Sequence, residues 1–268
     1  MKMIINNKTK IFVSVSKFPG NTGALLHNTG YKLHNLNNIY IPLKCKNEKI
    51  LKSIIFNENF KGISISMPYK TKVIKYLDKI SKNADKSRAV NTIIRTNKLL
   101  YGFNTDYTAI KKILVSSKLK VSSATIIGSG STSKTVYEVL KELKLKKIFL
   151  TARKMNKFKN WIINDKTKFI KWEKRSELSS DILINCTPLG MKNNNLLPIK
   201  LNSKNQFKLI LDLPINDSNK LSKLSKNFKI KYICGKQISL IQGIEQYNIY
   251  NNKKLVPEKI KKILKYNF

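Results

Sequence analysis

Short apolar runs rich in β-branched residues recur along the chain, separated by longer stretches in which apolar residues return every three to four positions. The first pattern reads as strands, and the second places apolar side chains on one face of a helix. In the first half it predicts strands at Ile11–Ser16, Ile39–Leu43 and Gly62–Ser66, with helices at Ala24–Leu36, Glu48–Phe56 and about Lys70 to Ile80. Ala89–Tyr101 reads as two strands joined by a turn around Asn97, and Asp106–Ser116 as a helix whose acidic first turn suits its dipole. A cleaner unit follows, with strand Ala124–Ile127, a Gly/Ser loop, helix Lys134–Leu143, strand Ile148–Leu150, and strands Ile182–Asn185 and Leu209–Asp212. Ser239–Tyr250 and Pro257–Tyr266 read as two closing helices. Alternating strands and helices predict an α/β protein.

Composition narrows the class. A chain of 268 residues, 41% hydrophobic and 9% aromatic, is long and apolar enough to bury a sizeable core in one large or two ordinary domains. Cys45, Cys186 and Cys234 lie far apart without a C-x-x-C pair, so neither a disulfide framework nor a zinc site is indicated, and a reducing compartment suits them. His27 and His34 are the only histidines, which leaves little scope for a metal site. No apolar run reaches the roughly 18 residues of a membrane span, and Met1–Gly20 holds no run of signal-peptide length. The expectation is a soluble, cytoplasmic protein with no membrane partner, as a monomer or homodimer.

The net charge of +38 taken alone suggests nucleic acid. Only Arg88, Arg95, Arg153 and Arg175 among the 53 basic residues are Arg, however, and base and phosphate recognition favours the guanidinium fork. The lysines are spread over the whole chain together with abundant Asn and Ile, all A/T-rich codons, so the charge reads as coding bias on a solvated surface. Such a field attracts anionic small molecules and binds polyanions weakly and without sequence preference, and no specific nucleic-acid partner is expected. A non-catalytic, basic nucleic-acid-binding protein is the alternative that the charge leaves open.

Two constellations carry chemistry. Gly128-Ser-Gly130-Ser131-Thr132-Ser133 follows an apolar strand and precedes an amphipathic helix. Glycines there allow a tight turn and close approach of a pyrophosphate to the N–H groups at the helix start. In units of this kind that bind NAD, an acidic residue about 20 positions on takes the ribose 2′-hydroxyl. Here the next strand ends in Arg153-Lys154 with no carboxylate between Glu142 and Asp165, which suits a 2′-phosphate and predicts NADP(H) over NAD(H). The second set is Ser66-Met-Pro-Tyr-Lys70, Ala89-Val-Asn91-Thr92 and Asn104-Thr-Asp106. If folding brings Lys70 and Asp106 together, an ammonium and a carboxylate would share proton transfer beside a carbonyl or hydroxyl undergoing hydride transfer.

These motifs, with Asn185-Cys-Thr-Pro-Leu-Gly-Met191 and Gln242-Gly243, occur in an order that resembles the shikimate dehydrogenase family over nearly the whole chain. The resemblance implies NADP-dependent, reversible reduction of 3-dehydroshikimate to shikimate in aromatic amino-acid biosynthesis. It implies an N-terminal α/β substrate domain, residues 1–104 completed by 238–268 as the C-terminal helices return to it, and a Rossmann-like NADP-binding domain over 105–237. Carried over by position, Lys70 and Asp106 match the catalytic pair. Asn91, Asp106, Ser66 and Gln242 match substrate contacts, and His27-Asn28 matches a His-Asn that follows the N-terminal substrate loop. Gly128, Gly130, Ser131, Thr132, Ser133, Thr151, Arg153, Lys154, Thr187, Met191 and Gly235 fall where the cofactor is held.

The sequence also departs from that pattern. Where the family's loop carries Ser-x-Ser for the substrate carboxylate, this chain has Asn21 and Gly23; Ile215 stands where a substrate-contacting Tyr is usual, and Ser64 replaces an Asn. The loop from Ser16 to Gly23 resembles the shikimate dehydrogenase-like branch, with Ser16 and Asn21 expected to take over anion binding. Quinate or a related cyclic hydroxy acid is the alternative substrate that this loop leaves open.

Overall fold

The computed structural model describes residues 5–191, 196–215, 219–258 and 260. The chain divides into two compact units, Met1–Thr108 with Leu240–Phe268, and Ala109–Ser239.

In the first unit β1 (Lys10–Ser16), β2 (Asn38–Lys44), β3 (Phe60–Ile65), β4 (Lys79–Ile80), β5 (Thr92–Thr96) and β6 (Leu99–Phe103) form one sheet in the order β2-β1-β3-β5-β6-β4. β1 runs parallel to β2 and β3, which requires crossovers, and α1 (Thr22–Leu33) and α2 (Glu48–Phe56) supply them. Alternation along β1 sends Phe12 to one face and Val13 and Val15 to the other. Val13 and Val15 are buried with Leu51 and Ile55 of α2. Phe12 packs with Leu26 and Tyr31 of α1, and with Leu240, Ile244, Tyr247 and Tyr250 of α7 (Gly235–Asn251). A Cβ at Gly62 would stand 2.7 Å from the Tyr250 ring, so β3 carries glycine where α7 meets the sheet. The β5–β6 hairpin turns at Asn97 and Lys98, both at positive φ, as a two-residue loop demands.

The expected helix from Lys70 to Ile80 is not formed. A 3-10 turn spans Lys72–Tyr76, and the chain then joins the sheet as β4 beside β6. Asp78 causes the change: its carboxylate accepts the Leu100 N–H at 2.7 Å and its own N–H donates to Leu100 O, so the segment is tied to the sheet edge. The short α3 (Lys82–Ser87) follows, capped by Ser81 and ended by Arg88 at positive φ.

In the second unit β7 (Ser123–Ile127), β8 (Lys147–Thr151), β9 (Thr167–Phe169), β10 (Ile182–Asn185), β11 (Leu209–Asp212) and β12 (Lys231–Cys234) form a fully parallel sheet in the order β12-β11-β10-β7-β8-β9. The chain starts at β7, works outward to β9 and returns to β10 on the other side. This order is a doubly wound, Rossmann-like arrangement with its switch point between β7 and β10. β10 and β11 are buried throughout, which is why they read as apolar runs without alternation. α4 (Thr105–Ser116), α5 (Ser131–Glu142) and α6 (Lys220–Asn227) complete the helices, α5 beginning a turn earlier than the pattern predicts. No described helix is long and apolar enough to cross a membrane. Beyond Ile260 the predicted helix Pro257–Tyr266 lies outside the described residues.

Candidate active site

In the first unit, Lys70 Nζ donates to Asp106 Oδ2 at 2.6 Å, with side chains 14% and 16% exposed. The sequence brackets the pair with anchored backbone. The carbonyl of Lys70 accepts the Val90 N–H at 2.8 Å, the Asn91 N–H donates to Phe103 O, and the Ile65 N–H donates to Asn91 O. Asp106 stands in the first turn of α4, where the helix dipole favours its charge. An ammonium fixed against a carboxylate at the edge of solvent can pass a proton to or from a substrate oxygen.

Asn91 and Gln242 lie together beside Thr105. Asn91 Nδ2 donates to Thr105 Oγ1 at 2.9 Å and reaches Gln242 Oε1 at 3.4 Å, and Thr105 Oγ1 is 3.1 Å from Gln242 Oε1. Ser66 donates its N–H to Val15 O, so Ser16 and Ser66 close two adjacent parallel strands at their carboxyl ends, the end at which α/β sheets bind ligands. Ser16 Oγ is buried with no partner among the described residues, and Ser66 is exposed. Asn21 is the exposed N-cap of α1, and its side chain makes no capping bond there. A Cβ at Gly23 would come within 3.2 Å of the Tyr40 hydroxyl, which therefore occupies the space a side chain at 23 would use.

Sequence reasoning missed the polar cluster beneath these residues. Tyr40 donates to Ser64 at 2.6 Å, Ser64 donates to Gln246 Oε1 at 2.7 Å and meets the Tyr250 hydroxyl at 2.9 Å, and His27 Nε2 lies 3.2 Å from the same Oε1. Burial holds the His27 pKa down at about 3, so the ring is neutral, and it stacks on Tyr40 with centroids 4.3 Å apart. Gln246 falls four residues after Gln242 on α7; that i, i+4 spacing is the only signal that places the two on one helix face.

In the second unit, register places Thr151, Ile127, Asn185, Asp212 and Cys234 in one row across the sheet. The segments that leave this row are Gly128–Ser133, Ala152–Lys154, Cys186–Met191 and Gly235, so the fold gathers the predicted cofactor residues along one sheet edge. Gly128 has φ +119, and a Cβ there would stand 2.9 Å from Ser133 Oγ and 3.3 Å from the Cys186 backbone. The space at the Cα of Gly130 is open, and α5 starts with no side-chain cap and no acidic residue in its first turn. Among the described residues, then, no cap or carboxylate of the helix itself answers its first N–H groups and dipole, an arrangement that suits an anion. Thr151 Oγ1 is buried without a partner, and Arg153 and Lys154 are exposed and in no ion pair among the described residues. This donor set fits a dinucleotide that carries an extra phosphate.

Other predicted residues lie in the scaffold around this edge. Ser133 is fully buried in the first turn of α5, so its hydroxyl is not offered to solvent. Gly235 is buried where any Cβ would run into the carbonyls of Leu213 and Pro214. The loop of Thr187 and Met191 is held by Asn185, whose Oδ1 accepts the N–H and hydroxyl of Thr187 and whose Nδ2 donates to Leu189 O and to the buried carboxylate of Asp212. Burial pushes the Cys186 thiol up to about 12, which removes it as a nucleophile beside this loop.

A sequence profile described as the shikimate dehydrogenase substrate binding domain matches residues 22–93. Over 237 residues the chain is 32% identical to shikimate dehydrogenase (NADP(+)) of Clostridium beijerinckii, spanning 86% of this chain and 87% of that one. A shikimate 5-dehydrogenase-like protein of known structure superposes with a TM-score of 0.85 at 25% identity, over 97% of each chain. A shikimate dehydrogenase crystallised with NADP+ superposes with a TM-score of 0.85 at 26% identity, over 99% of this chain and 98% of that one.

Proposed function

The chain belongs to the shikimate dehydrogenase family, and from that membership we propose that it interconverts shikimate and 3-dehydroshikimate with NADP(H), as a cytoplasmic enzyme. The observation that carries the reading is the 2.6 Å contact between Lys70 and Asp106 beside Asn91 and Gln242, four residues that separate stretches of sequence bring to one place. NADP(H), when bound, supplies the hydride donor or acceptor. Lys70 gives a proton to the ketone oxygen during reduction and takes one from the hydroxyl during oxidation; Asp106 accepts from its ammonium and keeps it aimed. Asn91, Asp106 and Gln242 grip ring hydroxyls. Ser16, Ser66 and Asn21, at the strand ends and the following loop, take the carboxylate.

For the cofactor, the N–H groups of Ser131, Thr132 and Ser133 at the start of α5 meet the pyrophosphate, with Gly128 and Gly130 clearing its approach. Arg153 and Lys154 bind the 2′-phosphate beside Thr151, and Thr187, Met191 and Gly235 line the nicotinamide end. Initial rates of NADP+ reduction with shikimate and with quinate, each repeated with NAD+, test the proposal. The expected result is turnover of shikimate that depends on NADP+. Turnover of quinate alone, a preference for NAD+, or no turnover with either acid would overturn it.

A further inference from the structure

We infer that Gln246 is a positioning residue that fixes the direction in which Asn91 presents its amide to the substrate, a role that rests on the substrate-site reading above. The argument comes from proton accounting in the buried network. Gln246 Oε1 receives the Ser64 hydroxyl proton at 2.7 Å and lies 3.2 Å from His27 Nε2, which must therefore carry the ring proton and donate. That tautomer leaves His27 Nδ1 as a bare acceptor, matching its lack of a partner among the described residues and its neutrality. With its single proton committed to Gln246, Ser64 accepts from both Tyr40 and Tyr250, at 2.6 and 2.9 Å. Every bond on this side of Gln246 then points toward its oxygen.

The other end of the amide only donates. Gln246 Nε2 gives one proton to Asn91 O at 3.2 Å and one to Thr92 Oγ1 at 2.9 Å. Thr92, having accepted, turns its own proton to Asn91 Oδ1 at 2.8 Å, where the Thr105 N–H also arrives at 2.8 Å. Oδ1 also lies 3.2 Å from the Thr105 hydroxyl; with its acceptor side surrounded by donors, Asn91 keeps its Nδ2 toward Thr105 Oγ1 and Gln242, as a donor. Gln246 is 4% exposed and Thr92 fully buried, so both links lie away from bulk water. An amide is the only side-chain group of this length that accepts at one end and donates two protons at the other. Gln246→Glu keeps the shape and the accepting end and loses the donating end.

The test uses the full-length protein with four substitutions: Gln246→Glu, Thr92→Val, which deletes the hydroxyl between Gln246 and Asn91, Gln246→Leu and Asn91→Ala. Two readouts are taken, the KM values for shikimate and NADP+, and the side-chain amide resonances of Asn91 in labelled protein. Gln246→Glu and Thr92→Val should each raise the KM for shikimate about 10- to 100-fold, the scale of one or two lost hydrogen bonds. They should leave the KM for NADP+ within about twofold and shift the Asn91 amide signals. If Gln246→Glu does not fold, Thr92→Val decides. Unmoved Asn91 signals, or an unchanged KM for shikimate in Thr92→Val when Asn91→Ala raises it, would overturn the inference alone. A wild type without shikimate turnover, or an Asn91→Ala variant with normal KM, would instead remove the substrate-site reading, and the Asn91 resonances would still decide the role of Gln246.

Discussion

Lys70 is one of many lysines here, and what distinguishes it is a carboxylate 2.6 Å away in a place where both side chains are largely out of water. Removing the amine should matter more than removing the charge. Lys70→Ala is expected to lower turnover by at least about 10²-fold with NADPH binding unchanged. Lys70→Arg should recover little, since a guanidinium does not release its proton near neutral pH; near-normal turnover in either variant would remove the proton-transfer role. His27 gives a second prediction at this scale. Its pKa falls from about 6.5 unfolded to about 3 when buried, so below pH 6.5 the unfolded chain binds a proton that the folded chain refuses. The contribution to stability is complete above pH 6.5 and is lost as pH falls toward 3. Between pH 7 and 5 the loss is about 2 kcal/mol, and denaturant unfolding of His27→Gln should show a pH dependence smaller by that amount. Equal slopes in the two proteins would mean that His27 is protonated in the fold. Lys70, Asp106, Asn91 and Gln242 were legible because short motifs mark them. Tyr40 and Gln246 were not, since a tyrosine in β2 and a glutamine inside α7 look like ordinary half-buried positions until the fold stacks them, and Ser64 stood out only as a departure from the family pattern.

Elements were legible where a whole face is apolar. β10 and β11 are buried from end to end and β7 from Ala124 onward, so their apolar runs stood out, and with the Gly/Ser loop they announced a dinucleotide-type unit. α6 was not legible, because Lys220–Asn227 is built of Lys, Ser, Leu and Asn, and its stability rests on burying Leu221 and on a reciprocal cap between Asn219 and Ser222. The segment after Lys70 misled for the opposite reason: its apolar spacing suits a helix, but Asp78 exchanges hydrogen bonds with Leu100 and makes it an edge strand. The turn between β7 and α5 concentrates the cofactor argument at Gly128. Alanine there would bring a side chain to φ +119 and press it against Ser133 and the Cys186 backbone. Strain of this kind is on the order of 1–3 kcal/mol, enough to move the α5 start and weaken dinucleotide binding about tenfold or more. Fluorescence titration with NADPH reads this directly, and an unchanged dissociation constant in Gly128→Ala would show that the loop does not shape the site.

At the scale of the whole molecule the charge of +38 is the one property that a fold argument leaves unused. It acts on everything anionic, and here both the substrate and the cofactor are anions. A field of dispersed lysines draws them in over roughly a Debye length, which shrinks from about 10 Å at 0.1 M salt to about 3 Å at 1 M. Contacts inside the site are direct, 2.6–3.4 Å long, and leave no room for mobile ions between the partners, so salt screens them little. Raising the salt concentration should therefore raise the KM of NADP+ and of shikimate several-fold and leave kcat nearly constant, because the field changes encounter and not proton transfer. Arg153→Ala separates the local contact from the field. It should raise the KM of NADP+ at every salt concentration and bring NADP+ and NAD+ closer together, since one guanidinium is a small part of the total charge but, in the proposed site, the specific partner of the 2′-phosphate. The same logic covers polynucleotides: binding to mixed-sequence DNA should fall steeply with salt and show no preference among sequences. A complex that keeps a sequence preference at high salt would mean that the lysines form a designed surface; a KM indifferent to salt would mean that they are too dispersed to steer even a small anion.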